Sequence, residues 1–258
     1  MNCRTLAICA VAAIASTSVP VAGLAACTVH SGPNNAALVE LYTSEGCSSC
    51  PPADRQLSRL DSSLDPGAEA VALALHVGYW DYIGWEDPYA QTAFSDRQSW
   101  LVHANKRRVV YTPQFFVGGH ETQPSALRDA VRRVNAVPAK AAIRLQAGLT
   151  SSGALALTAD ASTRENSEPL ALYVTVAESG LTSNVTRGEN RGVTLQHDHV
   201  AREWIGPIEL KADAARVQRE IVLPPNWNRA RLEVAAFVQD ERDGSVLQAV
   251  HAFNCAGS

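Results

Sequence analysis

Two cysteines three residues apart, Cys47 and Cys50, stand where an apolar run gives way to a helical pattern. Residues 37–42 read as a strand, and Ala53, Leu57, Leu60 and Leu64 follow at helical spacing. A Cys-x-x-Cys at such a junction constrains the fold more than any other feature of the chain. It needs a tight turn that brings both sulfurs together at the start of a helix. Unpaired backbone N–H groups there favour a thiolate on the outer sulfur, so Cys47 can exchange and Cys50 can resolve the mixed disulfide. A structural disulfide or a metal site uses the same spacing, and a dithiol supplies two of the four ligands that zinc takes.

The pattern continues as alternating strands and helices to about residue 137. Residues 70–77 are apolar except for His76, as in a strand buried on both faces. Ala90 to Ala104 and Leu127 to Val134 carry helical faces, and Gln114 to Val117 form a short strand ended by Gly118-Gly119. Strands alternating with helices predict βαβ units and a mixed sheet.

Beyond a join near Ala136-Val137-Pro138 the periodicity changes. Residues 143–149, 155–159, 170–177, 217–223, 231–239 and 246–253 favour strands separated by turns, which predicts a β-sandwich-like domain over 138–258. The stretch from Glu178 to Leu210 reads as a loop with one short helix around His199 to Trp204.

Composition narrows the function classes. Lys and Arg number 22 against 26 Asp and Glu, a net charge of -4, which gives no broad basic surface for nucleic acid. After the N-terminus no apolar run reaches the length of a membrane span. Residues 1–26 combine Arg4, an apolar stretch and small residues, and are expected to be an export signal. Periplasmic or secreted location is therefore expected. Export leaves four cysteines: Cys27, Cys47, Cys50 and Cys255. Leu24-Ala25-Ala26-Cys27 also resembles a lipobox, so Cys27 is either lipidated or paired with another thiol; four cysteines allow three pairings, and a structural Cys27–Cys255 disulfide tying the termini is the expected one.

Other candidates are weaker. His76 falls at the end of a central strand, where it could join the two thiolates on Cu(I). Tyr79, Trp80, Tyr82 and Trp85 follow that strand as an aromatic cluster, suited to lining a peptide groove or to packing. His197-Asp198-His199 would put two histidines on one face of a strand without a clear third ligand. Asn184-Val185-Thr186 matches a glycosylation sequon. No phosphate-binding glycine loop or hydrolase motif occurs, and no cofactor is expected.

With Thr112-Pro113 placed directly before the strand Gln114 to Val117, the order of elements over residues 36–137 resembles the thioredoxin superfamily. The resemblance implies an α/β thioredoxin-like domain with Cys47 exposed and Cys50 buried. It also implies a cis Pro113 as a wall of the substrate groove, beside Thr112, Tyr79 and Trp80. A closer resemblance extends over nearly the whole exported chain. The segment from Val39 through Glu45-Gly46-Cys47-Ser48-Ser49-Cys50-Pro51-Pro52 to Asp54 is similar to the secreted domain-of-unknown-function 1223 family. So are His76 to Trp85, Tyr111-Thr112-Pro113-Gln114, and Gly188-Glu189-Asn190-Arg191-Gly192 with Leu195 and His197-Asp198. That family implies a thioredoxin-like part plus a β-rich part. The expected activity is thiol–disulfide exchange with a protein or small thiol, or else a binding role around a structural disulfide.

Pro51-Pro52 fits only the first helical turn, which makes Cys50 the N-cap and leaves Cys47 outside the helix. With Glu45 nearby and no cation between the cysteines, a weakly activated dithiol is expected.

Overall fold

The computed structural model of the protein describes residues 27–164, 169–253 and 255. The stretch expected to be an export signal lies outside the described residues. The first half contains β1 (Cys27–His30), β2 (Ala37–Thr43), α1 (Pro51–Ser58), α2 (Leu60–Ser63) and β3 (Ala70–His76). A 3₁₀ turn (Gly78–Ile83) follows, then α3 (Thr92–Ala104), β4 (Gln114–Val117), β5 (His120–Thr122) and α4 (Leu127–Asn135). β2 and β3 are buried at every position and run parallel, with Ala37 opposite Ala70 and Thr43 opposite His76. Helices on both faces account for that burial and for the unbroken apolar sequence. On one face, Leu57 of α1 and Val131 of α4 pack against Val39, Ala72 and Phe115. On the other, Phe94 and Leu101 of α3 meet Tyr42, Leu75 and Phe116.

The second half is strand: β6 (Ala141–Leu149), β7 (Leu155–Thr163), β8 (Leu170–Glu178), β9 (Leu181–Asn184) and β10 (Thr194–His197). It continues with β11 (Val200–Glu209), β12 (Ala214–Ile221), β13 (Leu232–Asp240) and β14 (Val246–Phe253). β1, β6, β7 and β12 form a four-stranded antiparallel sheet. Its inner face, with Leu145 and Leu157, packs on Val174, Val234 and Val250.

The expectation of an α/β thioredoxin-like domain followed by a β-sandwich-like domain is overturned by the strand order. Strands from both halves make one eight-stranded mixed sheet, β14-β13-β8-β11-β3-β2-β4-β5. Among the described residues fourteen strands stand against four α-helices, so the chain is mostly β with large mixed sheets. The seam lies where Val200 of β11 pairs parallel with Ala74 of β3, and Ala74 N–H donates to His199 O at 2.8 Å. The physical reason is the free edge of β3, whose backbone groups need partners once both faces are covered. Apolar periodicity reports burial of faces and is silent about which strand fills an edge.

The loop and short helix expected between Glu178 and Leu210 are also corrected. That stretch holds β9, β10 and β11, with β9 and β10 forming a separate antiparallel hairpin. β11 shifts register between Ala201 and Glu203 and again between Ile205 and Ile208. Such bulges break the two-residue alternation, which explains how a strand here imitates a helical pattern.

Candidate functional site

The site grows out of the turn between β2 and α1. Cys47 N–H donates to Ser44 O at 3.1 Å and Cys50 N–H to Cys47 O at 3.2 Å, winding the chain tightly. Cys50 is the N-cap of α1, with prolines at the first helical positions. Pro51 and Pro52 have no N–H, so the first helical donors are Ala53 and Asp54, both to Cys50 O at 2.8 and 3.0 Å. Cys47 and Cys50 are joined in a disulfide. The exposed Cys47 implied by resemblance is not found: both cysteines are fully buried, and only Ser48 and Ser49 are exposed at the turn.

Two segments cover the disulfide. One is the 3₁₀ turn, where a Cβ built on Gly46 would stand 2.9 Å from Trp80 Cβ, so only glycine lets that indole lie against the chain. Trp80 Nε1 donates to Thr112 Oγ1 at 2.7 Å, and the Thr112–Pro113 peptide bond is cis. The structure thus brings Thr112 and Trp80 together beside Gly46. Tyr79 is turned toward α3, its hydroxyl donating to Gln98 Oε1 at 3.3 Å. Tyr82 is 82% exposed and stacks on Trp80 with ring centroids 6.5 Å apart.

The other cover is the tip between β9 and β10. Glu189 Oε2 accepts from Ser48 N–H at 3.0 Å and from Ser48 Oγ at 2.7 Å. Asn190 Nδ2 donates to Glu45 O at 2.8 Å and to Cys47 O at 3.0 Å. Gly188, at φ +73°, lets the tip turn closely over Ile83 and Trp85.

Beneath the disulfide lies a buried acid–base cluster. His76 Nδ1 is 2.8 Å from Asp87 Oδ2, and His197 Nε2 is 3.0 Å from Glu45 Oε1. The two imidazoles meet edge to face at 4.9 Å. Trp85 Nε1 donates to the other Glu45 oxygen at 2.8 Å. Asp54, one helical turn after Cys50, is buried beside them; burial pushes its carboxyl up, while His76 and His197 pull it down by less. Burial works against the charge on His76, yet Asp87 together with Asp54 and Glu45 outweighs it and the net shift is upward.

His197 and His199 are not brought together. His197 faces Glu45, whereas His199 Nδ1 lies 2.9 Å from Glu233. Among the described residues no three His, Cys, Asp or Glu side chains are placed to hold a metal ion. Asn184 of the sequon ends β9, where its Oδ1 accepts from Thr194 Oγ1 at 2.8 Å. Sequence reasoning gave no site role to Asp54, Asp87, Glu189 or Asn190. Asp54 carried a usable signal, a carboxylate beside Ala53 on the apolar face of a short helix; the other three depend on contacts between distant segments.

Cys27 and Cys255 form the second disulfide, which ties β1 to the segment after β14. The bond occupies the sulfur that a lipid anchor would need. Among the described residues no helix is long and apolar enough to cross a membrane.

A mostly-β protein with a buried disulfide beneath a hairpin tip is the class that fold and site define. The family described as Protein of unknown function (DUF1223) matches residues 38–239, and the chain belongs to it. No curated protein matches the sequence significantly. Two solved structures share the fold. HBP35 of Porphyromonas gingivalis aligns over 88% of this chain and 78% of its own, with TM-score 0.67 and 17% identity. Protein AGR_C_4864 from Agrobacterium tumefaciens aligns over 86% of this chain and 95% of its own, with TM-score 0.59 and 21% identity.

Proposed function

We propose that this protein carries out thiol–disulfide exchange outside the cytoplasm through Cys47 and Cys50. The observation that carries the reading is the disulfide at the β2–α1 turn, with Trp80 against Gly46, Trp85 bonded to Glu45, and Ser48 and Ser49 exposed at its apex. In the reduced protein Cys47 thiolate attacks a sulfur of a partner disulfide, whose other sulfur leaves and takes up a proton. Cys50 then loses its proton and attacks Cys47 Sγ. The Cys47–Cys50 bond re-forms, the partner's second thiol departs, and two electrons have passed to the partner. The reverse sequence oxidises a dithiol. Thr112, Pro113, Tyr79 and Trp80 flank the route by which a partner sulfur would approach. Two disulfides within one chain support a periplasmic or secreted location, since reducing compartments keep thiols free.

A second reading is favoured by one specific fact, the absence of exposed surface on either cysteine. In it the bond is structural and the protein is a binding module. Equilibration in graded glutathione buffers, with alkylated cysteines counted by mass, separates the two. A Cys47–Cys50 potential of about -120 to -270 mV supports exchange, and one below about -300 mV leaves the structural reading. In a Cys47→Ser variant, mixed disulfides trapped on Cys50 would identify the partner.

A further inference from the structure

A buried disulfide cannot exchange until something moves, and the structure shows what holds it shut. Segment 45–48 is held from two sides: Asp87 and Trp85 fix Glu45 and Trp80 packs on Gly46, while the β9–β10 hairpin supplies the contacts to Ser48 and to the Cys47 carbonyl. Glu189 holds Ser48, Asn190 holds the carbonyls of Glu45 and Cys47, and His197 at the end of β10 holds the Glu45 carboxylate. The hairpin belongs to neither large sheet. Its tip is bracketed by Gly188 and Gly192, at φ +73° and +83°, residues that tolerate a change of backbone path. The Glu189 contact with Ser48 lies at the exposed surface, where contacts open at lower cost than a sheet seam or an apolar core.

The contact at Ser48 has a particular chemistry. Its N–H and Oγ converge on a single carboxylate oxygen of an exposed side chain. When the tip lifts, those two donors face the side from which a partner sulfur must come. Ile83 and Trp85, now under Gly188, are uncovered beside them. The tip therefore stands where a partner segment would lie, with its own acidic side chain in the anion position.

We propose that the β9–β10 tip is a gate over Cys47–Cys50, latched by Glu189 and Asn190, and that it opens to an extended peptide bearing a carboxylate next to its reactive cysteine, which replaces Glu189 on Ser48. This rests on the exchange reading, because only an exchanging disulfide needs such a gate. Hydrogen bonding by Ser48 holds the Glu189 carboxyl below its ordinary value.

The test measures the rate at which dithiothreitol reduces each disulfide in the full chain, read by alkylation and mass. Glu189→Gln and Asn190→Ala should each speed reduction of Cys47–Cys50 about tenfold, the scale of one lost charge-assisted or buried hydrogen bond, and leave Cys27–Cys255 unchanged. Two cysteine peptides identical except for Glu or Gln beside the thiol then probe the partner. The Glu peptide should react several-fold faster with the wild-type protein, and Ser48→Ala should shrink the difference. Unchanged dithiothreitol rates, equal acceleration of both disulfides, or equal rates for the two peptides would overturn the proposal. A potential below about -300 mV with faster reduction in the variants would remove the exchange reading and the peptide partner with it, leaving the tip only as the cover of a structural disulfide.

Discussion

His76 Nδ1 and Asp87 Oδ2 stand 2.8 Å apart with neither side chain open to solvent. Asp87 also accepts from the N–H of Glu45 at 2.8 Å and of Tyr89 at 2.9 Å, so one carboxylate anchors the approach to Cys47 and the exit from the 3₁₀ turn. Burial opposes the charge on both partners, but each charge sustains the other: His76 is shifted up from 6.5 and Asp87 down from 3.8. Stability from His76 is therefore complete below 6.5 and drains as pH rises through its higher folded value. Stability from Asp87 is complete above 3.8 and is lost as pH falls through its lower one. The contribution of this pair to stability in urea should plateau between those values and decline on the alkaline side. Asp87→Asn should cost about 3 kcal/mol at the plateau, as for a broken buried pair, and flatten the alkaline limb.

Asp54 points the other way. Burial is the leading cause of its raised carboxyl, and the nearby imidazoles offset it in part. A carboxylate whose folded pKa is raised weakens the fold once pH exceeds the unfolded value. Asp54→Asn should therefore raise the urea midpoint at pH 7 and leave it unchanged near pH 3, where the wild-type carboxyl is already protonated. A lower midpoint at pH 7 would show that the Asp54 charge supports its neighbours more than burial penalises it.

The Cys27–Cys255 bond closes a loop of 228 residues. β1 is only four residues long and pairs with β6 alone. Without the bond its attachment rests on that short ladder. Replacing both cysteines with alanine should lower stability by about 5 kcal/mol in the chain-entropy picture. Amide exchange should rise first in residues 27–31, while the β2–α1 turn keeps its protection.

Much of this architecture was legible as elements. The residues read as strands at 37–42, 114–117 and 170–177 lie in β2, β4 and β8, and those at 70–77 overrun β3 by one residue, because burial on both faces leaves a continuous apolar run. The assembly of those elements was not legible. Val200 pairs with Ala74 across more than a hundred residues, and nothing in the periodicity of either strand names the other. The site divides similarly. Cys47 and Cys50 announce themselves by spacing, and Thr112 and Trp80 by their neighbours in the sequence. The contacts of Glu189 and Asn190 with the turn join segments over a hundred residues apart, and nothing in either segment's periodicity names the other.

One side chain holds the halves together from inside. Arg97 of α3 donates from Nε to Glu40 of β2 at 2.6 Å and from Nη1 to Gln239 of β13 at 3.0 Å. Its guanidinium lies 4.9 Å from the Trp204 ring and 5.1 Å from those of Tyr173 and Phe237. These rings come from β11, β8 and β13, so the cation touches strands on both sides of the seam. Arg97 is buried; burial disfavours its charge, and Glu40 leads the groups that outweigh it, so the net shift is upward. Removing one partner strands the other as a buried charge. Glu40→Leu or Arg97→Met alone should each cost about 3–5 kcal/mol, whereas the double variant should recover much of the loss by replacing the pair with apolar volume. Urea unfolding of the two single variants and the double one measures the coupling. If the losses simply add, the pair acts through packing on Trp204, Tyr173 and Phe237, and charge does not hold the seam.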